Sequence, residues 1–325
     1  MSLTRREAIV AIGTLAQAAS SIAAPGALWP TKAVRTVLPS GPGGGSDVVL
    51  RLINSKLQPL WQQPVVVDYR PGANSILATD AVAKAAPDGY TIGMALTAYT
   101  INPALYPDLP YNPRDLIGLS QVASADFGLF ANPSLEPSTV PELIAYAKKN
   151  PNKLSYATSG VGSGSHLAWE MFNMMAGTHM VHVPYSKGGG AAQLDVIAGR
   201  IPLLMDVAFG SMNMVQQGKL KLIAFASPTR SASHPEVPLI SETLPGFSIL
   251  SNMGMIAPAA MPRELVERIS ADIVRAVHSP DIKGRFADLG LDPVGSSADE
   301  YNRVLHAEMD KWAKVIKTAG IKLTA

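Results

Sequence analysis

From residue 33 onward, short β-branched runs alternate with amphipathic segments, and three times a glycine-rich stretch stands between the two. A strand feeding a helix that packs back over it builds a crossover unit, so repetition of the pattern gives a largely parallel sheet covered on both faces. Strands are expected at 33–38, 65–69, 91–95, 154–157, 180–183, 203–206 and 221–226. Helices are expected at 47–61, opened by Ser46 as N-cap, and at 75–84. Thr139 and Glu142 form a capping box that opens another helix, and further helices follow at 166–176 and 191–198. Pro103, Pro107, Pro110 and Pro113 mark an irregular connector, and beyond Pro258 the pattern turns helical over 263–278, 281–289 and 298–319.

The chain has 325 residues, enough for two domains with their own cores. No low-complexity linker divides it, so two lobes joined by chain crossovers are expected, with residues 28–126 and 250–325 in one and 127–249 in the other. Hydrophobic residues make up 47% and charged residues 16%, which excludes disorder. A net charge of +2 without clustered Lys or Arg gives nucleic acid no footprint. With no cysteine, disulfides, thiolate nucleophiles and Cys-ligated zinc are excluded.

The first residues read as an export signal. Arg5 and Arg6 precede an apolar stretch from Ile9 to Ala19, and Ser21-Ile22-Ala23 has the small-x-small pattern of a cleavage site. Thr14, Gln17, Ser20 and Pro25 interrupt the stretch, so cleavage is expected over anchoring, with residues 1–24 as the signal peptide. The arginine pair leaves the general and twin-arginine routes both open.

The glycine loops 41–46, 160–165 and 188–190 each fall at the carboxyl end of an expected strand, where open α/β sheets bind ligands. Glycine admits close backbone approach, and the first turn of the next helix offers unpaired N–H groups. Such a place holds an anion without Lys or Arg. The loops also serve as plain tight turns. None completes a dinucleotide or phosphate-loop pattern, so no cofactor is expected. Ser163 and Ser165 beside His166 suggest a hydrolase, but the GxSxG elbow is absent. His179 and His182, three apart on a strand, point to opposite faces and suit no shared metal. Asp47 either stabilises its helix start or meets a ligand, Asp206 ends a strand as a ligand candidate, and Tyr99 and Tyr185 either wall a cleft or fill core.

Several stretches, in order and spacing, resemble the substrate-binding proteins of tripartite tricarboxylate transporters, the TctC or Bug family. They include Trp29-Pro30, Pro42-Gly43-Gly44-Gly45-Ser46-Asp47, Arg70-Pro71-Gly72-Ala73 and Pro87-Asp88-Gly89-Tyr90-Thr91. Asn102-Pro103-Ala104-Leu105-Tyr106, Leu109-Pro110-Tyr111, Ser165-His166-Leu167, Val183-Pro184-Tyr185 and Ala198-Gly199-Arg200-Ile201 continue the match. The resemblance implies a periplasmic, monomeric, non-enzymatic solute-binding protein of Venus-flytrap fold, each lobe a mainly parallel sheet flanked by helices. It would close on a small organic carboxylate held by backbone amides and pass it to an inner-membrane permease. A sensor or scavenger of the same fold is the alternative. The matching ligand positions are Ser40, Gly43, Gly44, Ser46, Asp47, Thr97, Tyr99, Ser159, Gly160, Ser163, Ser165, His166, Tyr185, Gly188 and Asp206. Two places depart from the family: the loop 185–191 is longer and lacks its proline, and Trp169 stands where a glycine is usual.

Overall fold

The computed structural model describes residues 29–185, 189–231 and 234–321; the expected signal peptide and Gly188 lie outside them. The chain opens with β1 (Val34–Leu38), α1 (Gly45–Trp61), β2 (Val65–Tyr69), α2 (Ile76–Ala83), β3 (Thr91–Ala95) and α3 (Thr97–Leu105). Next come β4 (Leu116–Ala131), α4 (Val140–Lys149), β5 (Ser155–Thr158), α5 (Gly164–Ala176), β6 (Val181–Pro184) and α6 (Gly189–Ile197). The remainder is β7 (Leu203–Val207), α7 (Ala208–Gln216), β8 (Lys221–Phe225), β9 (Leu250–Pro258), α8 (Arg263–Val277), α9 (Pro280–Asp288), β10 (Asp292–Pro293) and α10 (Ala298–Ala319).

Local chemistry explains the boundaries. Val49, Leu50, Ile53, Leu57 and Trp61 give α1 one buried face, and Gln62 ends it in a left-handed conformation just before Pro64. Thr139 and Glu142 form the expected capping box, as do Ser297 and Glu300 at α10. Helix α1 starts at Gly45 rather than after Ser46, because Gly44 holds the extended N-cap position and Ser46 lies inside the first turn.

The sheet order is β2-β1-β3-β9-β4 on one side and β4-β7-β5-β6 on the other. β1 runs parallel to β2 and β3, and β5 to β6 and β7. The exceptions are β4 and β9, which run antiparallel to every strand they pair with. β4 belongs to both halves. From Leu116 to Asp126 it pairs with β9, and from Phe127 to Ala131 with β7 and β8. The result is a two-lobed α/β fold, its lobes stitched by a 16-residue strand.

Each lobe has its own core, yet α3 and α10 contribute to both. Tyr301 and Leu305 pack with Val37, Ile76 and Tyr111 of the first lobe. Farther along α10, Trp312, Val315 and Ile316 join Phe127, Tyr156, Leu167 and Trp169 in the second, together with Ile101 and Leu105 of α3. Among the described residues no helix is long and apolar enough to cross a membrane.

Candidate functional site

The β1–α1 loop is shaped by one carboxylate. Gly43, at φ 85°, donates its N–H to Asp47 Oδ2 at 2.8 Å. Oδ1 accepts from Tyr69 Oη at 2.8 Å and from Arg51 Nε at 3.0 Å. Burial pushes this carboxyl up, but the Gly43 amide, Tyr69 and Arg51 together outweigh it and hold its pKa below the ordinary value. Its oxygens are committed to the loop, so Asp47 braces the site instead of meeting a ligand. The hydroxyls of Ser40 and Ser46 bond each other at 2.6 Å across the same loop. Helix α1 has no side-chain cap, which leaves its first-turn amides open at the loop's end.

The start of α3 is also uncapped. Thr97 Oγ1 accepts from the Asn252 amide at 3.4 Å, which ties this start to β9. Tyr99 points the other way. Its ring is buried with Tyr111 and Tyr301, its hydroxyl donates to Pro113 O at 3.4 Å, and burial drives its pKa up. Tyr99 is therefore core: two residues past Thr97, its side chain falls on the other side of the helix.

In the second lobe the β5–α5 loop is knitted by hydroxyls. Ser165 Oγ accepts from the Ser159 amide at 3.0 Å and bonds the Ser159 and Ser163 hydroxyls, each at 3.0 Å. Ser163 Oγ donates to Gly160 O at 2.7 Å and caps α5 by accepting from the His166 amide at 3.2 Å. The Gly160 amide donates to Thr158 Oγ1, and that of Gly162 to His166 Nδ1 at 3.2 Å. The amides of Val161, Gly164 and Ser165 have no acceptor among the described residues.

His166 lies beneath this loop. Its ring stacks on His182 with centroids 4.1 Å apart, and its Nε2 faces Glu170 Oε1 at 3.7 Å; that oxygen accepts from Tyr156 Oη. Burial depresses both imidazoles to about 4, the His182 ring further lowered by its neighbour. Both are neutral, and His166 presents Nδ1 as an acceptor. Its two nitrogens meet Gly162 and Glu170, so neither takes a proton from Ser163 or Ser165, and the hydrolase arrangement is not built. His166 supports the loop from below. His182 pairs with His166 and not with His179, and the described residues contain no group of three or more potential metal ligands.

Close approaches bring the loops together. A β-carbon at Gly45 would fall 2.2 Å from Phe209 Cζ, so the start of α1 touches α7 of the other lobe. One at Gly164 would lie 3.5 Å from Thr97 Cγ2, so the starts of α3 and α5 also meet across the gap. One at Gly160 would lie 3.7 Å from Tyr185 O, and one at Gly189 2.5 Å from Asp206 Oδ2. Asp206 ends β7, where Oδ1 accepts from the Val207 amide at 2.8 Å and burial lifts its carboxyl to about 6. The Tyr185 hydroxyl donates to Asp195 at 2.6 Å, so its polar end is tied to α6. Phe209 was not among the expected residues: an aromatic in the first turn of a helix without a glycine loop carries no sequence signal. The assembled surface therefore offers open helix starts from both lobes, serine hydroxyls, one aromatic ring and one carboxyl of raised pKa.

The fold recurs in known proteins. Residues 49–321 match the model of the tripartite tricarboxylate transporter family receptor, TctC. Protein BugT of Bordetella pertussis is 31% identical over 99% of this chain and 100% of its own. The structure of Rpa4515 of R. palustris with adipate is similar at 31% identity and a TM-score of 0.82, covering 90% of this chain and 99% of that one. MatC of Rhodopseudomonas palustris, solved with bound malate, is similar at 27% identity and a TM-score of 0.78, covering 89% and 100%. The protein is a solute-binding protein that belongs to the tripartite tricarboxylate transporter receptor family, TctC or Bug.

Proposed function

We propose that this protein captures a small organic carboxylate in the periplasm, between a lobe of residues 28–126 and 250–325 and a lobe of residues 127–249. One observation carries the reading. Uncapped starts of α1 and α3 in one lobe, and the partly open start of α5 in the other, each come up against the opposite lobe, Gly45 at Phe209 and Gly164 at Thr97, and this supports their sharing one gap. Open N–H groups biased positive by their helices suit an anion, and a carboxylate offers two oxygens to two lobes at once. Touching both, it favours the closed form by its differential affinity. Serine hydroxyls and the raised Asp206 carboxyl suit a second polar group on the same molecule. The ligands of Rpa4515 and MatC, adipate and malate, are both dicarboxylates and support the class. Residues 1–24 direct export and are removed, and the loaded protein delivers its ligand to an inner-membrane permease of the tripartite type.

The test is thermal stabilisation by a panel of mono- and dicarboxylates that includes adipate and malate. A binding member at 100 times its Kd adds about 2.7 kcal/mol. A panel that leaves the melting temperature unmoved throughout rejects the reading.

A further inference from the structure

The sequence Arg70-Pro71-Gly72-Ala73 leads into a run of backbone that ligand capture, as described so far, leaves without a role. Ala73, Asn74 and Ser75 hold φ values of 46°, 50° and 71°. Residues with side chains disfavour this left-handed region, and three in succession persist only where the surroundings over-determine them. Here the surroundings are specific. Asn74 Nδ2 donates to Asn102 Oδ1 at 2.8 Å, and Asn102 Nδ2 donates back to the Asn74 carbonyl at 2.8 Å. Asn102 is fully buried in α3, so the pair fixes the turn against its own lobe.

The same Asn74 amide group crosses to the other lobe, where Nδ2 donates to Gly162 O at 3.2 Å. Backbone carbonyls can only accept, so the bonds to Gly162 O and Asn74 O orient both asparagine amides without ambiguity. Gly162 is gripped from a second side. At φ 77° it passes so close to Leu105 of α3 that a β-carbon would fall 2.4 Å from Leu105 Cδ2. Its N–H is held by His166 within the second lobe. Both main-chain polar groups of Gly162 are thus taken, one by each lobe, at the centre of the loop that carries the open amides of Val161, Gly164 and Ser165.

We propose that Asn74 is a positioning residue for ligand capture: the strained turn at 73–75 anchors the Gly162 carbonyl across the lobe boundary and so aims the loop's open amides into the gap. This rests on the amide-lined gap being the ligand site. The strain at 73–75 is then the means of carrying a side chain of the first lobe to a carbonyl of the second.

The experiment uses the full chain with Asn74→Gly, which keeps left-handed backbone and deletes the amide group. Asn74→Asp, similar in size and tolerant of the same backbone, is the second variant should the first not fold. Hydrogen exchange is read first, without ligand. The hydrogen-bonded amides of the loop, Gly162 and Ser163, are expected to exchange about fivefold faster, the loss of one hydrogen bond, while β1 and β3 beside the turn keep their parent rates. Affinity for adipate or malate is expected to weaken by a similar factor, about fivefold. A merely structural turn would loosen its own lobe instead. Unchanged exchange at Gly162 and Ser163, or parent affinity in the variant, overturns the proposal. If neither dicarboxylate binds the parent, the carboxylate reading is what fails, and the exchange result still decides the role of Asn74.

Discussion

Single residues in this gap divide into those that brace the loops and those that remain available. Asp47 sits in a glycine loop beside a helix start, a position equally suited to bracing or binding; only the partners Gly43, Tyr69 and Arg51 decide. Among the described residues Asp206 accepts one bond, from its own neighbour Val207. Its carboxyl titrates near 6 instead of 3.8, so its contribution to stability is fully present below 3.8 and is lost as the pH rises through about 6. Asp206→Asn is expected to remove that loss, a gain of at most about 3 kcal/mol at pH 8 and little at pH 4. His166 and His182 act in the opposite direction. Their values fall from 6.5 to about 4, so they contribute stability above 6.5 that is lost as the pH drops toward 4. Melting temperatures of the ligand-free protein from pH 4 to 8 should show Asp206→Asn flattening only the alkaline side, with the acid fall retained. Parallel profiles for parent and variant would refute the assignment.

At the scale of elements, glycine loops followed by amphipathic helices were plain in the sequence, because N-caps and periodicity are local signals. Strands at 65–69 and 91–95 and the helix at 298–319 lie where the pattern puts them. Helix α3 was hidden by Pro103, which sits inside it and reads as a breaker. β4 and β9 were hidden for another reason. Nearly every residue of β4 is buried on both faces, with Gly118, Ser120 and Ser124 among them, so no alternation marks a strand. Long-range pairing defines both strands, and a linear pattern holds no trace of it. The start of α1 has its own test. Gly45→Ala places a methyl group against Phe209 Cζ of the other lobe and should obstruct the approach of α1 to α7. Calorimetry is expected to show weaker carboxylate binding with the ligand-free melting temperature nearly unchanged, and Phe209→Ala in the same chain should recover part of the affinity. Parent-like affinity in Gly45→Ala would show that this contact does not matter to capture.

For the whole molecule, the lobes share more than a hinge. β4 threads both sheets, and α10 places Tyr301 in one core and Trp312 in the other. Thermal unfolding should therefore be one cooperative transition despite two lobes. Trp312→Ala, which empties a fully buried site, should lower stability by about 3–5 kcal/mol and shift the whole transition rather than split it. Two resolved calorimetric peaks in the parent would contradict this.

That placement of α10 also sets an order of assembly. The middle of the chain, synthesised earlier, lacks Trp312, Val315 and Ile316 from its interior until α10 has emerged. A nascent or shortened chain ending before them leaves the cavity of the second lobe open, and proteases that cleave exposed apolar segments would find there a target that the finished protein hides.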